Sequence, residues 1–308
     1  MNSLVSARTS AVIILSVVLF ITSVSAQLPS NLRNYPLGEQ KASGDIVAPV
    51  FNGWIENEDG SVRLIFGFAN RNKEEIVDVP IGSNNFIEPS QFNGVQPTHF
   101  PIYNRGGFVG INERGAFAIT VPAEMAGTEV IWTLKHAGYE YSIPGRATST
   151  TYELSDDGAA FGSLLPAIRF EMDGMESTDH EGIIAERLTT SVGKPMTLSA
   201  FAQDRSNRDA YPENNEFFHY QIGTEWIFHQ GPAAPEFSQA FITGEQRVKQ
   251  SGTEVGPEDW TKVQTEVTFW EPGDYLIRLR VDNFLAPDSR FDYMCCWSNA
   301  FFPVTVMP

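Results

Sequence analysis

The segment TFWEPGDYLIRLRVDN, residues 268–283, decides the fold class of this chain. A Pro-Gly turn is followed by apolar side chains at every second position, namely Tyr275, Ile277, Leu279 and Val281. Alternation with period two and one apolar face is typical of a half-buried antiparallel strand. A tyrosine at the start of such a strand can bury its ring and donate its hydroxyl hydrogen to the backbone behind it. The segment therefore predicts a sandwich strand with Tyr275 in the core.

The same alternation recurs along the rest of the chain. Its apolar positions are Val62, Leu64, Phe66 and Phe68; Phe117, Ile119 and Val121; Val130, Trp132 and Leu134; Tyr139, Tyr141 and Ile143; Met196, Leu198, Ala200 and Ala202; Trp226 and Phe228; Val267 and Phe269; and Phe302, Val304 and Val306. No stretch of eleven or more residues keeps a helical period with caps. The prediction is an all-β protein with two antiparallel β-sandwich domains of the immunoglobulin-like kind after a signal peptide, and with Trp226 as a core residue.

These patterns divide the chain into five predicted parts. They are a signal peptide at 1–26, an extended N-terminal arm at 27–47, an N-terminal β domain at 48–154, a linker at 155–190 and a second β domain at 191–308. The linker is predicted because alternation stops there and Asp and Gly become frequent, although the sequence PAIRFEM within it could supply one strand.

The first 26 residues have the features of a secretory signal peptide. Arg8 precedes an apolar run of fourteen residues at 11–24, and Val24-Ser25-Ala26 fits the −3 and −1 positions of a cleavage site. A membrane anchor is the alternative, but a span needs about 20 apolar residues. We expect cleavage after Ala26, export to the periplasm or the extracellular space, and no membrane span in the mature chain.

Composition excludes several classes of function. The chain has 308 residues, with 21 Lys plus Arg against 38 Asp plus Glu, so that its formal net charge is −17. Such a chain is not expected to bind nucleic acid, because that binding requires phosphate neutralisation. Hydrophobic residues make up 42%, which is enough for packed cores. Most of the carboxylates are expected on a solvated acidic face.

Four segments in order carry a family resemblance. They are SVGKPMTLSAFAQD (191–204), TEWIFHQGPAAPEFS (224–238), TFWEPGDYLIRLRVDN (268–283) and FFPVTV (301–306). Together they resemble an immunoglobulin-like domain of the polycystic-kidney-disease (PKD) repeat type, although this chain has long insertions. The resemblance implies an immunoglobulin-like β-sandwich for 191–308. Residues 48–154, and with them the whole chain, resemble uncharacterised secreted bacterial proteins, which implies no activity.

Two long connections are the predicted ligand-binding surface. With Met196–Asp204 as strand B, Glu225–His229 as C, Tyr275–Asp282 as F and Phe302–Val306 as G, the B–C and F–G loops have about twenty and about eighteen residues, longer than most structureless loops. In a sandwich both leave from the same end. The candidate ligand-binding residues are Tyr211, Phe218, His219, Tyr220, Tyr293, Cys295, Cys296 and Trp297. The expected partner is a glycan or a protein; alternatively the two loops only pack on each other.

The same loops carry candidate ligands for calcium. These are Asp204, Asp209, Asp282, Asp288 and Asp292, and carboxylates are the ligands that calcium prefers. We expect that no cofactor is required and that calcium is optional. The adjacent pair Cys295-Cys296 has three alternatives, namely a strained disulfide between neighbours, two buried free thiols, or pairing with another molecule.

No catalytic motif accompanies these residues. The chain lacks a G-x-S-x-G elbow, an H-E-x-x-H pair, a P-loop and a dinucleotide fingerprint. The leading hypothesis is therefore an exported module, not an enzyme, with a binding or structural role. The alternatives are a secreted hydrolase acting on polysaccharide or peptide through acidic residues, and a subunit of an envelope or surface assembly. An aromatic cleft with two facing carboxylates would favour the hydrolase, and an exposed apolar patch would favour the assembly.

Overall fold

A computed structural model of the chain describes residues 38–103, 111–154, 164–205, 223–238, 260–282 and 297–308. Residues Lys41–Pro308 form one compact unit, and Met1–Gln40 form another, of which only 38–40 are described. We call residues 41–154 the N-terminal lobe and residues 164–308 the C-terminal lobe. The only helices among the described residues are three short 3-10 turns, Ser90–Phe92, Ala123–Met125 and Thr150–Tyr152, and none could span a membrane.

The N-terminal lobe contains eight described strands in three small sheets. They are β1 (Val47–Glu56), β2 (Val62–Asn70), β3 (Val77–Asp78), β4 (Asn85–Glu88), β5 (His99–Phe100), β6 (Asn112–Val121), β7 (Val130–His136) and β8 (Tyr139–Gly145). The sheets have the orders β1-β2-β6, β4-β7-β8 and β3-β5, and every pairing is antiparallel. The alternation at 130–134 and 139–143, with the Gly-containing segment His136-Ala137-Gly138 between the two runs, predicts a hairpin, and the structure joins β7 to β8 there. The turn residues Ala137 and Gly138 both have positive φ, 51° and 81°, as a type I′ turn requires.

Aromatic side chains from facing strands fill the core of the N-terminal lobe. Phe66 of β2 stacks on Phe117 of β6 with ring centroids 5.3 Å apart, and Trp132 of β7 meets Phe117 edge-on at 5.0 Å. The indole Nε1 of Trp132 donates to the side-chain oxygen of buried Asn85 at 3.0 Å. The predicted inward positions of β2, β6 and β7 are therefore confirmed as core residues.

The C-terminal lobe contains ten described strands in two five-stranded layers. They are β9 (Ala167–Arg169), β10 (Glu176–Ser177), β11 (Ile183–Ile184), β12 (Leu188–Ser191), β13 (Met196–Gln203), β14 (Gly223–Gln230), β15 (Glu236–Phe237), β16 (Thr261–Thr268), β17 (Gly273–Asp282) and β18 (Trp297–Met307). One sheet has the order β10-β9-β13-β16-β15. The other has the order β11-β18-β17-β14, with β12 also beside β18. Strands β11 and β12 run parallel to β18, and the other pairs are antiparallel.

The inner faces of these two sheets form one apolar cluster. Tyr275, Ile277, Leu279 and Val281 of β17 all belong to it, as the alternation predicted. The hydroxyl of Tyr275 donates to the carbonyl of Glu271 at 2.8 Å, four residues back, so the predicted tyrosine corner is confirmed. Burial of this hydroxyl, with the nearby charge of Glu271, raises the pKa of Tyr275. Trp226 of β14 is also buried and lies against Phe302 with ring centroids 5.3 Å apart.

The chain is therefore all-β, with antiparallel sheets and an immunoglobulin-like sandwich in its C-terminal lobe. The strand in PAIRFEM is present as β9, and the described part of residues 155–190 also supplies β10 and β11 and the start of β12. These short strands pair with β9, β13 and β18 of the C-terminal lobe. The division into two domains that fold independently stays a prediction. The described lobes have separate apolar clusters, but they also share a buried polar contact.

Truncation of Trp226 tests the packing between the sheets. Replacing Trp226 by Ala is expected to lower the free energy of unfolding by about 3–5 kcal/mol, because it leaves a large cavity in the core. The matched control is Trp270→Ala, since Trp270 is 57% exposed and its loss should cost less than about 0.5 kcal/mol. Urea denaturation of both variants measures the difference. Equal midpoints would show that the ring of Trp226 does not stabilise the sandwich.

Candidate functional site

Most of the predicted ligand-binding residues lie outside the described residues. Those are Tyr211, Phe218, His219, Tyr220, Tyr293, Cys295 and Cys296. The strand ends that flank their loops are neighbours, because Asp282 pairs with both Gly223 and Trp297. Contact between the two loops stays a prediction, as does the state of the two cysteines.

Trp297, the one described residue of that set, is buried. Its indole ring lies under the guanidinium of Arg280, with the Arg280 Cζ atom 4.2 Å from the ring centroid. The ring of His180 meets it edge-on at 5.0 Å. The side chains of Arg280 and His180 therefore pack against the indole of Trp297 at the boundary between the lobes.

The proposed calcium ligands are also only partly described, since Asp209, Asp288 and Asp292 lie outside the described residues. Asp204 and Asp282 are both buried, and the Asp282 carboxylate accepts a hydrogen bond from Arg280 Nε at 3.1 Å. Within the described ranges, no three His, Cys, Asp or Glu side chains are grouped so as to hold a metal ion. Calcium binding by the full loop set stays a prediction.

A buried charged cluster joins the two lobes. Glu113 of β6 forms an ion pair with Arg278 of β17, and its Oε1 atom lies 3.4 Å from Arg280 Nη1. Arg278 Nη1 also donates to the carbonyl of Ala116 at 2.5 Å. Arg278 is 1% exposed and Glu113 0%, so both charges are out of water. Glu113 is an exception to the solvated acidic face on which most carboxylates are expected, because its strand packs against the outer face of β17.

Gly115 allows this close approach of β6 to the C-terminal lobe. Its φ of +55° is in the left-handed region, where residues with a side chain are strained. A Cβ atom at this position would lie 2.6 Å from Nε1 of Trp297. The carbonyl of Gly115 accepts from Nδ2 of Asn299 at 3.2 Å, and Asn299 Nδ2 also donates to the carbonyl of His180 at 2.7 Å.

Two histidines are buried at the same boundary. Burial, with the positive charges of Arg63 and Arg280, lowers the pKa of His180 to about 3. Neither ring nitrogen of His180 has a hydrogen-bond partner among the described residues. For His229, burial and the charge of Arg278 lower the pKa to about 3. Its Nε2 atom lies 2.8 Å from the carbonyl oxygen of Val95, which can only accept, so this nitrogen carries the hydrogen. Both rings are neutral at pH 7.

An open groove of about 400 Å³ lies where β14 faces the chain segment after β5. We call it the inter-lobe groove. Aromatic residues of both lobes line it, together with two carboxylates and an imidazole: Tyr103, Trp226, Phe228, Phe237, Glu225, Glu236 and His99. The ring of His99 packs on Phe228 at 4.8 Å between centroids, and its Nδ1 lies 2.7 Å from the Asp78 carboxylate. Tyr103, Glu225, Trp226 and Phe228 are buried in the walls, so the more accessible groups of the groove include Phe237, Glu236 and His99.

Backbone contacts at one end hold the walls of the inter-lobe groove together. The amide of Thr98 donates to the carbonyl of His229 at 2.8 Å. The side-chain amide of Gln230 donates to the carbonyls of Gly94 and Gln96, each at 2.8 Å. These bonds connect the two lobes directly beside the groove. Sequence reasoning missed it, since the aromatic alternation of β14 gave no signal that residues 99–103 would face this strand.

Comparison with known proteins gives no family. No family of known sequences matches the chain, and no curated protein matches it. Among solved structures, the chain is similar to the D00-D0 domain of intimin, with 12% identity, a TM-score of 0.26, and coverage of 85% of this chain and 100% of that one. Domains 4 and 5 of the S-layer protein SbsC match with 10% identity, a TM-score of 0.23, and coverage of 86% and 98%. A protein of unknown function from Porphyromonas gingivalis W83 matches with 10% identity, a TM-score of 0.23, and coverage of 84% and 99%.

Proposed function

We propose that this chain is an exported, non-catalytic binding module that takes a short saccharide in the inter-lobe groove. The observation that carries the proposal is an open groove in which the accessible residues Phe237, Glu236 and His99 lie together. Aromatic faces suit the apolar C–H faces of sugar rings, and carboxylates accept hydrogen bonds from sugar hydroxyls. A volume of about 400 Å³ lies within the usual range for small-ligand sites.

Two further parts of the proposal come from the sequence. The signal-peptide features of residues 1–26 support export to the periplasm or the extracellular space. The PKD-type pattern of 191–308 supports a binding or structural role at that location. The B–C and F–G loops remain a second proposed contact surface, with calcium as their optional ligand.

A glycan array tests the saccharide proposal with the mature chain. We expect Ala234→Trp to weaken binding of any retained glycan by at least about ten-fold, which corresponds to about 1.4 kcal/mol, because Ala234 is an exposed residue of the groove wall and the indole would fill the space. The matched control is Gln264→Trp on the exposed face of β16, which should bind as the unmodified chain does. An array without retained glycans, or equal affinities for the two variants, would contradict the proposal.

A glycoside hydrolase is the second candidate, because two acidic residues, the buried Glu225 and the exposed Glu236, line the same groove. Glu225 lies on β14 and Glu236 on β15. If one carboxylate served as general acid and the other as base or nucleophile, the chain would cleave the glycan that it binds. Incubation of the bound glycan with the chain, followed by product analysis, separates the two functions. Cleavage that is lost in both Glu225→Gln and Glu236→Gln would establish the hydrolase and replace the non-catalytic proposal.

A further inference from the structure

A second groove opens at the other edge of the C-terminal sandwich. Strands β14 and β15 form one lateral edge of the two sheets, whereas β10, β11 and β12 lie at the opposite edge. The groove at this opposite edge has a volume of about 610 Å³, and we call it the lateral groove. One wall comes from residues 197–199 of β13, and the other comes from residues 183–188, which include β11. It shares no lining residue with the inter-lobe groove.

One wall of the lateral groove is a strand edge without a neighbour. On one side, β13 pairs with β16 along Met196–Ala202. On the other side β9 reaches only Phe201, Ala202 and Gln203. The edge of residues 196–200 therefore has no pairing strand within the described parts of the chain. Backbone N–H and C=O groups along such an edge can pair with an added strand.

The rim of the lateral groove carries the two most exposed large apolar side chains among the described residues. Met175 is 81% exposed and Ile184 is 71% exposed. Below them, Leu198 and Phe302 of the sandwich core line the floor. Exposed apolar side chains that continue into a core mark an interaction surface, and methionine adapts to partners of different shape.

The charges at this groove are acidic. Glu171 and Glu186 line it and are exposed, neither has an ion pair within the described residues, and no Lys or Arg lines the groove. The whole chain has a formal net charge of −17. A second copy of this chain would bring the same negative charge to the contact, so charge complementarity favours a basic partner.

We propose that the lateral groove binds an extended segment of a partner protein that adds a strand to the free edge of β13. The segment has apolar side chains directed into the groove, alternating with Lys or Arg side chains near Glu171 and Glu186. Main-chain hydrogen bonds to residues 196–200 hold it in register, and the alternate apolar positions contact Met175 and Ile184. This proposal goes beyond saccharide binding, because different residues carry it.

Panning of a phage-displayed library of random linear peptides against the mature chain tests the proposal. Selection is done at about 150 mM salt, where the screening length is about 8 Å and long-range attraction between exposed charges is weak. We expect enriched peptides to alternate apolar residues with Lys or Arg. The enriched peptide, once synthesised, should slow amide hydrogen exchange in residues 196–200. A selection without enrichment, or protection confined to other strands, would overturn the proposal.

Matched variants locate the binding surface. Ile184→Ser is expected to weaken binding of the enriched peptide by about ten-fold, whereas Ile76→Ser, at a 55% exposed position of the N-terminal lobe, should leave it unchanged. The double variant Glu171→Lys/Glu186→Lys should weaken it more than Glu58→Lys/Glu124→Lys, which makes the same charge change at exposed positions of the N-terminal lobe. Equal effects within either matched pair would show that attachment is non-specific.

Concentration-dependent dimers that are lost in Ile184→Ser would show instead that the groove pairs copies of the chain, which also overturns the proposal.

Discussion

Replacing Glu113 by Gln is expected to lower the free energy of unfolding by about 3–5 kcal/mol. Glu113 is the acidic partner shared by Arg278 and Arg280, and the three side chains are 0–6% exposed. Removing the negative charge leaves the positive charges buried without that partner, and water cannot compensate because the lobes exclude it. Urea denaturation of the mature chain measures the loss. We also expect the unfolding transition to broaden or to separate into two, since the lobes lose their strongest polar connection.

The matched control for this variant is Glu129→Gln. Glu129 pairs with Arg146 at an exposed site, with side chains 41% and 56% exposed. Exposed ion pairs contribute about 1 kcal/mol or less, so this variant should unfold almost as the unmodified chain does. If Glu113→Gln costs no more than Glu129→Gln, the buried cluster does not hold the lobes together.

Acid is expected to destabilise the chain through its two buried histidines. The pKa of His180 and of His229 is lowered to about 3 from a usual value near 6.5. Between these values the unfolded chain binds protons that the folded chain does not, so stability falls as the pH falls from about 6.5 towards 3. Each histidine contributes a slope of about 1.4 kcal/mol per pH unit in this window and none above it.

The variant His180→Leu isolates one half of this effect. Because neither ring nitrogen of His180 has a hydrogen-bond partner in the described part of the chain, the apolar replacement should be tolerated at pH 7. Between pH 4 and pH 6, we expect the stability of this variant to fall less steeply than that of the unmodified chain, by about 1.4 kcal/mol per pH unit. Protonation of carboxylates affects both chains and cancels in the comparison. Parallel pH profiles would mean that His180 binds a proton in the folded chain as easily as in the unfolded one.

The core-facing positions of the strands could be predicted from the local alternation of apolar residues in the sequence. In β17, alternation placed Tyr275, Ile277, Leu279 and Val281 in the core, and the structure confirms all four. The turn at 137–138 was also readable, because hairpins with two-residue loops favour glycine. These features depend on neighbours along the chain, which the sequence shows directly.

The contacts between the lobes could not be predicted from the sequence, because they join residues that are far apart along the chain. Glu113 and Arg278 are 165 positions apart, and nothing near either residue indicates its partner. A charged residue between two apolar ones usually indicates a strand face exposed to solvent. The pattern of β17 therefore predicted a solvent-exposed outer face, whereas in the structure the N-terminal lobe covers this face. The inter-lobe groove was missed for the same reason. The predicted loop site lies mostly outside the described residues, so for that site the sequence remains the only evidence.

Strand β17 is covered on both faces, and this affects whether the two lobes can be separated by gene rearrangement or by protein engineering. A sandwich that exposes one sheet face to water can be duplicated, moved between genes or expressed alone, as many cell-surface repeats are. Here the outer face of β17 carries Arg278 and Arg280, whose acidic partner Glu113 lies on β6 of the other lobe. Cutting the gene between the lobes would place this face in water without that partner. We therefore expect the two lobes to be inherited as one cassette, and engineered fusions to succeed at the ends of residues 41–308 sooner than between the lobes.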